Sequence, residues 1–285
     1  MKTVLETIRS GAPWLEKAGV ENARLNMEHL LAKVLGCRRM QLYMDFDRPL
    51  EEEHLAPLRD LVKRRGKGEP LQHLLGTVEF MGREFLCDSR ALVPRPETEE
   101  LLEKILTECR RDGVPPPADI LDMGTGSGVI GLSLALAFPE ARVVMADVSS
   151  EALALARENA ERLTASAERL TLVQSDLFSS LPGQRFDLIA ANLPYISAAE
   201  ISALSMEVQR DPVLALDGGT RGTELIEQFL QDLPQHMNLN ALVALEVGAG
   251  QTDALAEIMR RVPLRDVTAA NDLSRRDRFL FGRAM

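Results

Sequence analysis

Downstream of Val114-Pro115-Pro116-Pro117, seven short apolar runs alternate with segments of helical periodicity. The runs lie at 118–121, 142–146, 170–173, 186–190, 241–247, 264–269 and 279–281. Runs of this length suit strands buried on both faces, and a helix between successive strands returns the chain to start a parallel neighbour. The pattern predicts an α/β fold with a seven-stranded, doubly wound, mostly parallel sheet. Ligands of such sheets bind beyond the carboxyl ends of the strands, where the strand order reverses. Motifs at strand ends are therefore the ones to examine for chemistry.

The chain before this region reads differently. From Lys2 to about Gly66 apolar residues recur at three- and four-residue spacing, as in Leu25, Leu30-Leu31, Val34-Leu35 and Leu55, Leu58, Leu61-Val62. Breaks expected at Gly11-Ala12-Pro13, Gly36 and Arg48-Pro49 divide it into about four short helices, a bundle that would be marginal alone. The basic run Lys63-Arg64-Arg65-Gly66-Lys67 reads as a solvated linker, with an acidic partner surface as the functional alternative. Thr77-Val78-Glu79-Phe80 and Arg83-Glu84-Phe85-Leu86 flank Met81-Gly82 and predict a hairpin. In Val93-Pro94-Arg95-Pro96-Glu97-Thr98-Glu99 two prolines fix an extended segment, after which Glu97 or Thr98 opens a helix through Leu101, Leu102 and Ile105.

Composition narrows the class. The net charge is −10, and nearly all of the acidic excess follows Arg110, which argues against a protein that coats nucleic acid through its phosphates. Three cysteines, Cys37, Cys87 and Cys109, form no CxxC pair and read as reduced thiols in a cytoplasmic protein. Four scattered histidines show no metal-ligand spacing, so no metal is expected. The N-terminus lacks a signal layout, and no apolar stretch approaches the roughly 20 residues of a membrane span.

The first strand of the sheet ends in Asp122-Met123-Gly124-Thr125-Gly126-Ser127-Gly128. Alternating glycines let the backbone turn sharply and approach a ligand that a Cβ would repel. Gly126 to Gly131 also satisfies the dinucleotide pattern GxGxxG, but that register starts two residues late and the earlier one places Val129 at its third glycine. Asp122 would repel a pyrophosphate and suits a cationic ligand, so the sulfonium and ammonium groups of S-adenosylmethionine fit better. Asp147, 23 residues beyond Gly124, ends the second strand where an acid can accept from both ribose hydroxyls. Asp176, Leu177 and Phe178 after the third strand suit an adenine, with a helix cap as the plain reading of Asp176.

The fourth strand ends in Asn192-Leu193-Pro194-Tyr195. A planar NH₂ on an sp² carbon is a poor nucleophile because its lone pair is delocalised, and a site assists by accepting both N–H protons and stacking on the plane. Asn192 and the Leu193 carbonyl can supply the acceptors, Pro194 restricts the backbone, and Tyr195 offers the stacking face. Positioning would then carry most of the rate, with no general base or covalent nucleophile required.

In these residues the chain resembles the peptide chain release factor N(5)-glutamine methyltransferases, the PrmC or HemK family. The likeness spans Gly68-Glu69-Pro70-Leu71-Gln72-His73, Pro94-Arg95-Pro96-Glu97-Thr98-Glu99, Asp122 to Gly128, the Asn192 motif and Asp272-Leu273-Ser274-Arg275-Arg276-Asp277-Arg278. It implies a helical recognition domain at 1–76, a hairpin linker at 77–96 and a class I S-adenosylmethionine-dependent methyltransferase domain at 97–285. The implied substrate is the glutamine of the Gly-Gly-Gln loop of a release factor, met by a cytoplasmic monomer that holds no nucleic acid stably. By motif position the cofactor falls to Gly124, Thr125, Gly126, Ser127, Gly128, Asp147 and Asn192, and catalysis with substrate contact to Asn192, Leu193, Pro194 and Tyr195; the chemistry of the strand ends adds Asp122, Asp176, Leu177 and Phe178 for the cofactor. Two residues depart from the family pattern: Leu193 replaces the first proline of Asn-Pro-Pro-Tyr, and Leu177 stands where many members have tryptophan, with Phe178 as the available aromatic. Asn-Leu-Pro-Tyr also occurs in ribosomal RNA adenine dimethyltransferases, so a nucleic-acid adenine amino methyltransferase is the alternative enzyme, and a non-catalytic cofactor-binding protein the alternative class.

Overall fold

The computed structural model describes residues 2–111, 113–163 and 167–285. The chain forms two compact units, one of Met1–Val78, Cys87–Ser89 and Ser205–Arg210, the other of Glu79–Leu86, Arg90–Leu204 and Asp211–Met285.

The first unit is helical. Its helices are α1 (Val4–Lys17), α2 (Ala23–Leu35), α3 (Glu52–Gly66) and α4 (Leu71–Leu75), and strands β1 (Lys2–Thr3) and β2 (Pro49–Leu50) pair antiparallel. Thr3 opens α1 with a capping box, its hydroxyl accepting from the Glu6 N–H at 3.3 Å while Glu6 accepts from the Thr3 N–H at 3.0 Å. Val4, Ile8, Leu15, Leu30, Leu31, Leu42, Leu58 and Leu74 build its core. Gly11-Ala12-Pro13 does not break α1 as its composition predicts; the helix runs through it. Gly11 has a packing reason to be there, since a Cβ would lie 2.5 Å from Met27 Sδ and force that buried side chain to move. The break falls instead at Ala18 and Gly19, while Gly36 ends α2 in the left-handed conformation as expected.

The basic run is not a linker either, because Lys63 to Gly66 form the last turn of α3. Arg65 is buried, and its guanidinium donates to Asn26 Oδ1 at 2.7 Å, the Glu69 carbonyl at 3.0 Å and Glu207 at 2.6 Å. Arg64 pairs with Glu69. Internal partners thus use two of the four charges that a docking surface would need.

Strands β3 (Thr77–Phe80) and β4 (Arg83–Leu86) form the expected hairpin, with Met81 and Gly82 both at positive φ, as a two-residue turn between twisted strands requires. Helix α5 (Pro96–Cys109) starts with proline at its first position, where the missing N–H costs nothing. The seven apolar runs all become strands: β5 (Asp119–Met123), β6 (Arg142–Asp147), β7 (Leu170–Gln174), β8 (Phe186–Asn192), β9 (Met237–Glu246), β10 (Leu264–Asn271) and β11 (Asp277–Ala284). They make one sheet in the order β10-β11-β9-β8-β5-β6-β7, parallel except for β11, which pairs antiparallel with β9 and β10. The order reverses at β5, between β6 and β8, so a cleft is expected at its carboxyl end. Helices α6 (Val129–Ala137), α7 (Ser150–Leu163), α8 (Ala198–Ile201), α9 (Glu224–Asp232) and α10 (Thr252–Met259) complete the unit. No helix among the described residues is long and apolar enough to cross a membrane.

Asn159 on α7 joins the hairpin to the glycine loop. Fully buried, it accepts from the Leu86 N–H at 2.6 Å and donates to the Leu86 carbonyl at 3.2 Å and the Ser127 carbonyl at 2.9 Å. Asn159→Ala would leave these backbone groups without their partner, and a loss of about 2–4 kcal/mol is expected. Urea unfolding of the purified variant measures it.

Candidate active site

The loop after β5 has the conformation its glycines predict: Gly124, Gly126 and Gly128 sit at φ +71°, +54° and +86°. The Gly124 and Thr125 N–H groups donate to the Ala146 carbonyl at 2.8 and 3.0 Å, which ties the loop to β6. A Cβ on Gly124 would lie 3.0 Å from Leu193 Cδ2, so the loop and the Asn192 motif approach closely only because the glycine is bare.

Asp122 lies under this loop. It is fully buried and accepts from the Thr125 hydroxyl and, at 2.8 Å, from the Gly131 N–H of α6, while Oδ1 has no partner among the described residues. Burial pushes its carboxyl up to about 6. The acid expected to face a cationic ligand therefore braces the loop from beneath. Gly131 allows this, because a Cβ there would sit 3.0 Å from Asp122 Oδ2 and 2.6 Å from Met145.

A cleft of about 540 Å³ opens at the switch point. Of the residues singled out in the sequence, Gly124, Thr125, Gly126, Ser127, Asp147, Asp176, Leu177, Asn192, Leu193 and Pro194 line it together. Asp147 ends β6 and accepts from the Gly126 N–H at 2.8 Å and the Ser149 N–H at 2.9 Å; burial raises its pKa. Leu177 is held at φ +46° beside Ser175, whose hydroxyl donates to the Leu177 carbonyl at 2.5 Å and accepts from the Ser180 N–H at 3.0 Å.

Asp122, Gly128, Phe178 and Tyr195 do not line the cleft. Gly128 caps α6, close against Ala156. Phe178 is buried in the core and stacks on His236 at 4.2 Å and on Phe229 at 5.2 Å, so it does not serve as the aromatic beside Leu177. Tyr195 packs against the core, its hydroxyl accepts from Arg278 at 3.4 Å and its carbonyl accepts from Gln251 at 2.9 Å. Burial pushes the phenol up to about 12. Arg278 is in turn held by Asp272 at 3.3 Å, which gives the C-terminal motif its place behind the site.

Other residues at or behind the cleft had no site role assigned from the sequence. Asn192 Nδ2 donates to Thr98 Oγ1 at 3.1 Å, and Thr98 donates to Glu246 at 2.8 Å. Arg95 pairs with buried Asp211 at 2.6 Å, and Arg90 with Glu158 at 2.6 Å, so both cations at the cleft already have carboxylates. Asp217 and Glu224, from the segment after the Asn192 motif, also line the cleft. Reaching them required knowledge of how the loops fold over the sheet edge.

Model matches to known families divide the chain: residues 6–76 match the PrmC N-terminal domain and residues 98–218 the methyltransferase small domain. A release factor glutamine methyltransferase of Geobacter sulfurreducens is 42% identical over 99% of this chain and 98% of its own length. One from Rhodopirellula baltica is 38% identical over 98% and 95%. The chain belongs to the release factor glutamine methyltransferases. Its fold is also that of a methyltransferase crystal structure from Pyrococcus furiosus, which is 20% identical with a TM-score of 0.53 over 72% of this chain and 91% of the other.

The residues present fit the methyl donor of such a methyltransferase. Carboxylates of Asp147, Asp176 and Asp217 line the cleft beside Glu224, which Arg221 holds at 3.1 Å, while both arginines of the cleft are paired; this excess of carboxylates suits sulfonium and ammonium groups and disfavours a pyrophosphate. Within this methyltransferase site Asp147→Ala should weaken S-adenosylmethionine binding by about tenfold or more. Asn192→Ala should abolish transfer while leaving that affinity largely intact. Calorimetric titration with the cofactor and a labelled-methyl assay, run on both variants, separate the two effects.

Proposed function

We propose that this chain transfers a methyl group from S-adenosylmethionine to the side-chain amide nitrogen of the glutamine in the Gly-Gly-Gln loop of a peptide chain release factor. The observation that carries this reading is the orientation of Asn192. Its NH₂ is turned to Thr98, so Oδ1 is the polar atom left for the cleft and can accept an N–H from the substrate amide.

The Leu193 carbonyl is the second acceptor in this reading. Two acceptors on one planar NH₂ fix its rotation, and the cleft's apolar walls at Met123, Ile130 and Leu193 limit water around it. Gly124 to Ser127 bring the backbone against the donor, Asp147 takes the ribose hydroxyls, and Leu177 lies beside the base. S-adenosylmethionine supplies an electrophilic methyl group to a nitrogen held in this way. The main catalytic contribution of the chain is then alignment, and a well-oriented pair gains several orders of magnitude without a general base.

The charge of −10 supports a protein partner over stable nucleic-acid binding. Incubation with methyl-labelled cofactor and either release factor or ribosomal RNA, followed by mass analysis of the Gly-Gly-Gln peptide, tests substrate choice. Label on the glutamine amide is expected. Label in RNA alone would transfer the site to an adenine amino group.

A further inference from the structure

Asn192 and Glu246 face each other across the parallel pairing of β8 with β9, and Thr98 reaches both from the first turn of α5. Thr98 is 3% exposed and Glu246 1%. Their hydrogen bonds form a directed chain, from Asn192 Nδ2 to Thr98 Oγ1 at 3.1 Å and from Thr98 Oγ1 to Glu246 Oε2 at 2.8 Å.

The direction has a chemical cause. A carboxylate only accepts, so it takes the single proton of the Thr98 hydroxyl. Lone pairs are all that Thr98 can then offer Asn192, and the amide must present its NH₂ to them. A primary amide is close to symmetric in shape, and packing alone would not decide which end faces the cleft. From this geometry we infer that Thr98 and Glu246 are positioning residues, which lock the Asn192 amide with its oxygen toward the substrate nitrogen. The inference rests on the proposed amide methylation and adds to it the groups that set the orientation.

Protonating Glu246 would reverse the chain. A carboxylic acid can donate to Thr98, which frees the hydroxyl proton to seek Asn192 Oδ1 and favours the flipped amide. The flipped amide would offer N–H donors to a substrate that also brings N–H donors. The groups that face Glu246 are Thr98 and Glu97 from α5, Asn192 at the end of β8, Tyr195 three residues beyond it, and Arg278 from β11. Burial pushes its carboxyl up to about 7; Thr98, Arg278 and Asn192 oppose that rise, and Glu97 adds to it. The oriented site is therefore populated above this value, and transfer should fall as the pH drops through it.

The test uses the full chain with labelled cofactor and a release factor, and compares Thr98→Val, Thr98→Ser and Glu246→Gln. Valine keeps the shape of threonine without its hydroxyl. It should lower kcat about 100-fold, with KM for the release factor and affinity for the cofactor nearly unchanged. Serine should restore most of the rate. Glu246→Gln, which cannot titrate, should lose the fall in kcat that the parent shows from about pH 8 to about pH 6. A valine variant with the parental kcat, or one affected in KM alone, overturns the inference; so does a glutamine variant that keeps the parental acid limb. If valine prevents folding, the pH profile of the glutamine variant decides. A parent chain that methylates no release factor would instead defeat the functional reading, and cofactor affinity in the variants would still report whether the fold is intact.

Discussion

Parallel pairing at the carboxyl edge of the sheet holds the site together. Met123 on β5 lies opposite Ala146 on β6 and Ala191 on β8, Asp147 lies opposite Gln174 on β7, and Asn192 opposite Glu246 on β9. Each pair brings the start of a functional loop to the same level. Shifting one strand by a residue would turn its side chains to the other face and separate Asn192 from Glu246. The buried residues Ile120, Leu121, Leu188, Ile189, Val243 and Leu245 oppose such a slip, because it would replace apolar contacts on both faces. The chemistry at the rim thus relies on packing one or two residues further down each strand.

That rim has an electrostatic cost. Burial raises the pKa values of Asp122, Asp147 and Glu246. A carboxyl whose pKa is higher in the folded chain binds its proton more tightly there. Its contribution to folding is most favourable below the unfolded value and is lost as pH rises. For Asp122 the window runs from 3.8 to about 6 and for Glu246 from 4.5 to about 7. Near neutrality these two acids therefore work against folding in order to hold the loop and the amide in place. A site that lowers stability while fixing geometry is common where preorganisation carries the rate.

Much of this was legible in the sequence for physical reasons. Strands buried on both faces read as unbroken apolar runs, and the loop at Gly124 to Gly128 needs left-handed backbone that glycine supplies, so the sheet and its main loop could be placed. Gly11-Ala12-Pro13 misled because helix-breaking composition is a local tendency, while the close approach of Met27 is a tertiary one. Phe178 and Tyr195 misled in a related way. The sequence puts both next to functional residues, but backbone direction decides which neighbour faces the cleft, and Leu177 at positive φ faces it while Phe178 turns to His236. The pairing of Thr98 with Glu246 was not legible because it spans 148 residues and exists only once the strand order is known.

Leu193 shows how a departure from the family pattern is absorbed. Proline at this position would restrict the backbone through its ring. Leucine lacks that covalent restraint, but its side chain is 5% exposed and close enough to Gly124 that a Cβ there would lie 3.0 Å away. Burial against the loop thus replaces the ring as the source of rigidity, and the carbonyl proposed as the second acceptor is common to both residues. The replacement also makes the two halves of the site depend on each other. Any side chain added at Gly124 would press on the Leu193 side chain, so the glycine loop and the Asn192 motif are packed against each other in this chain.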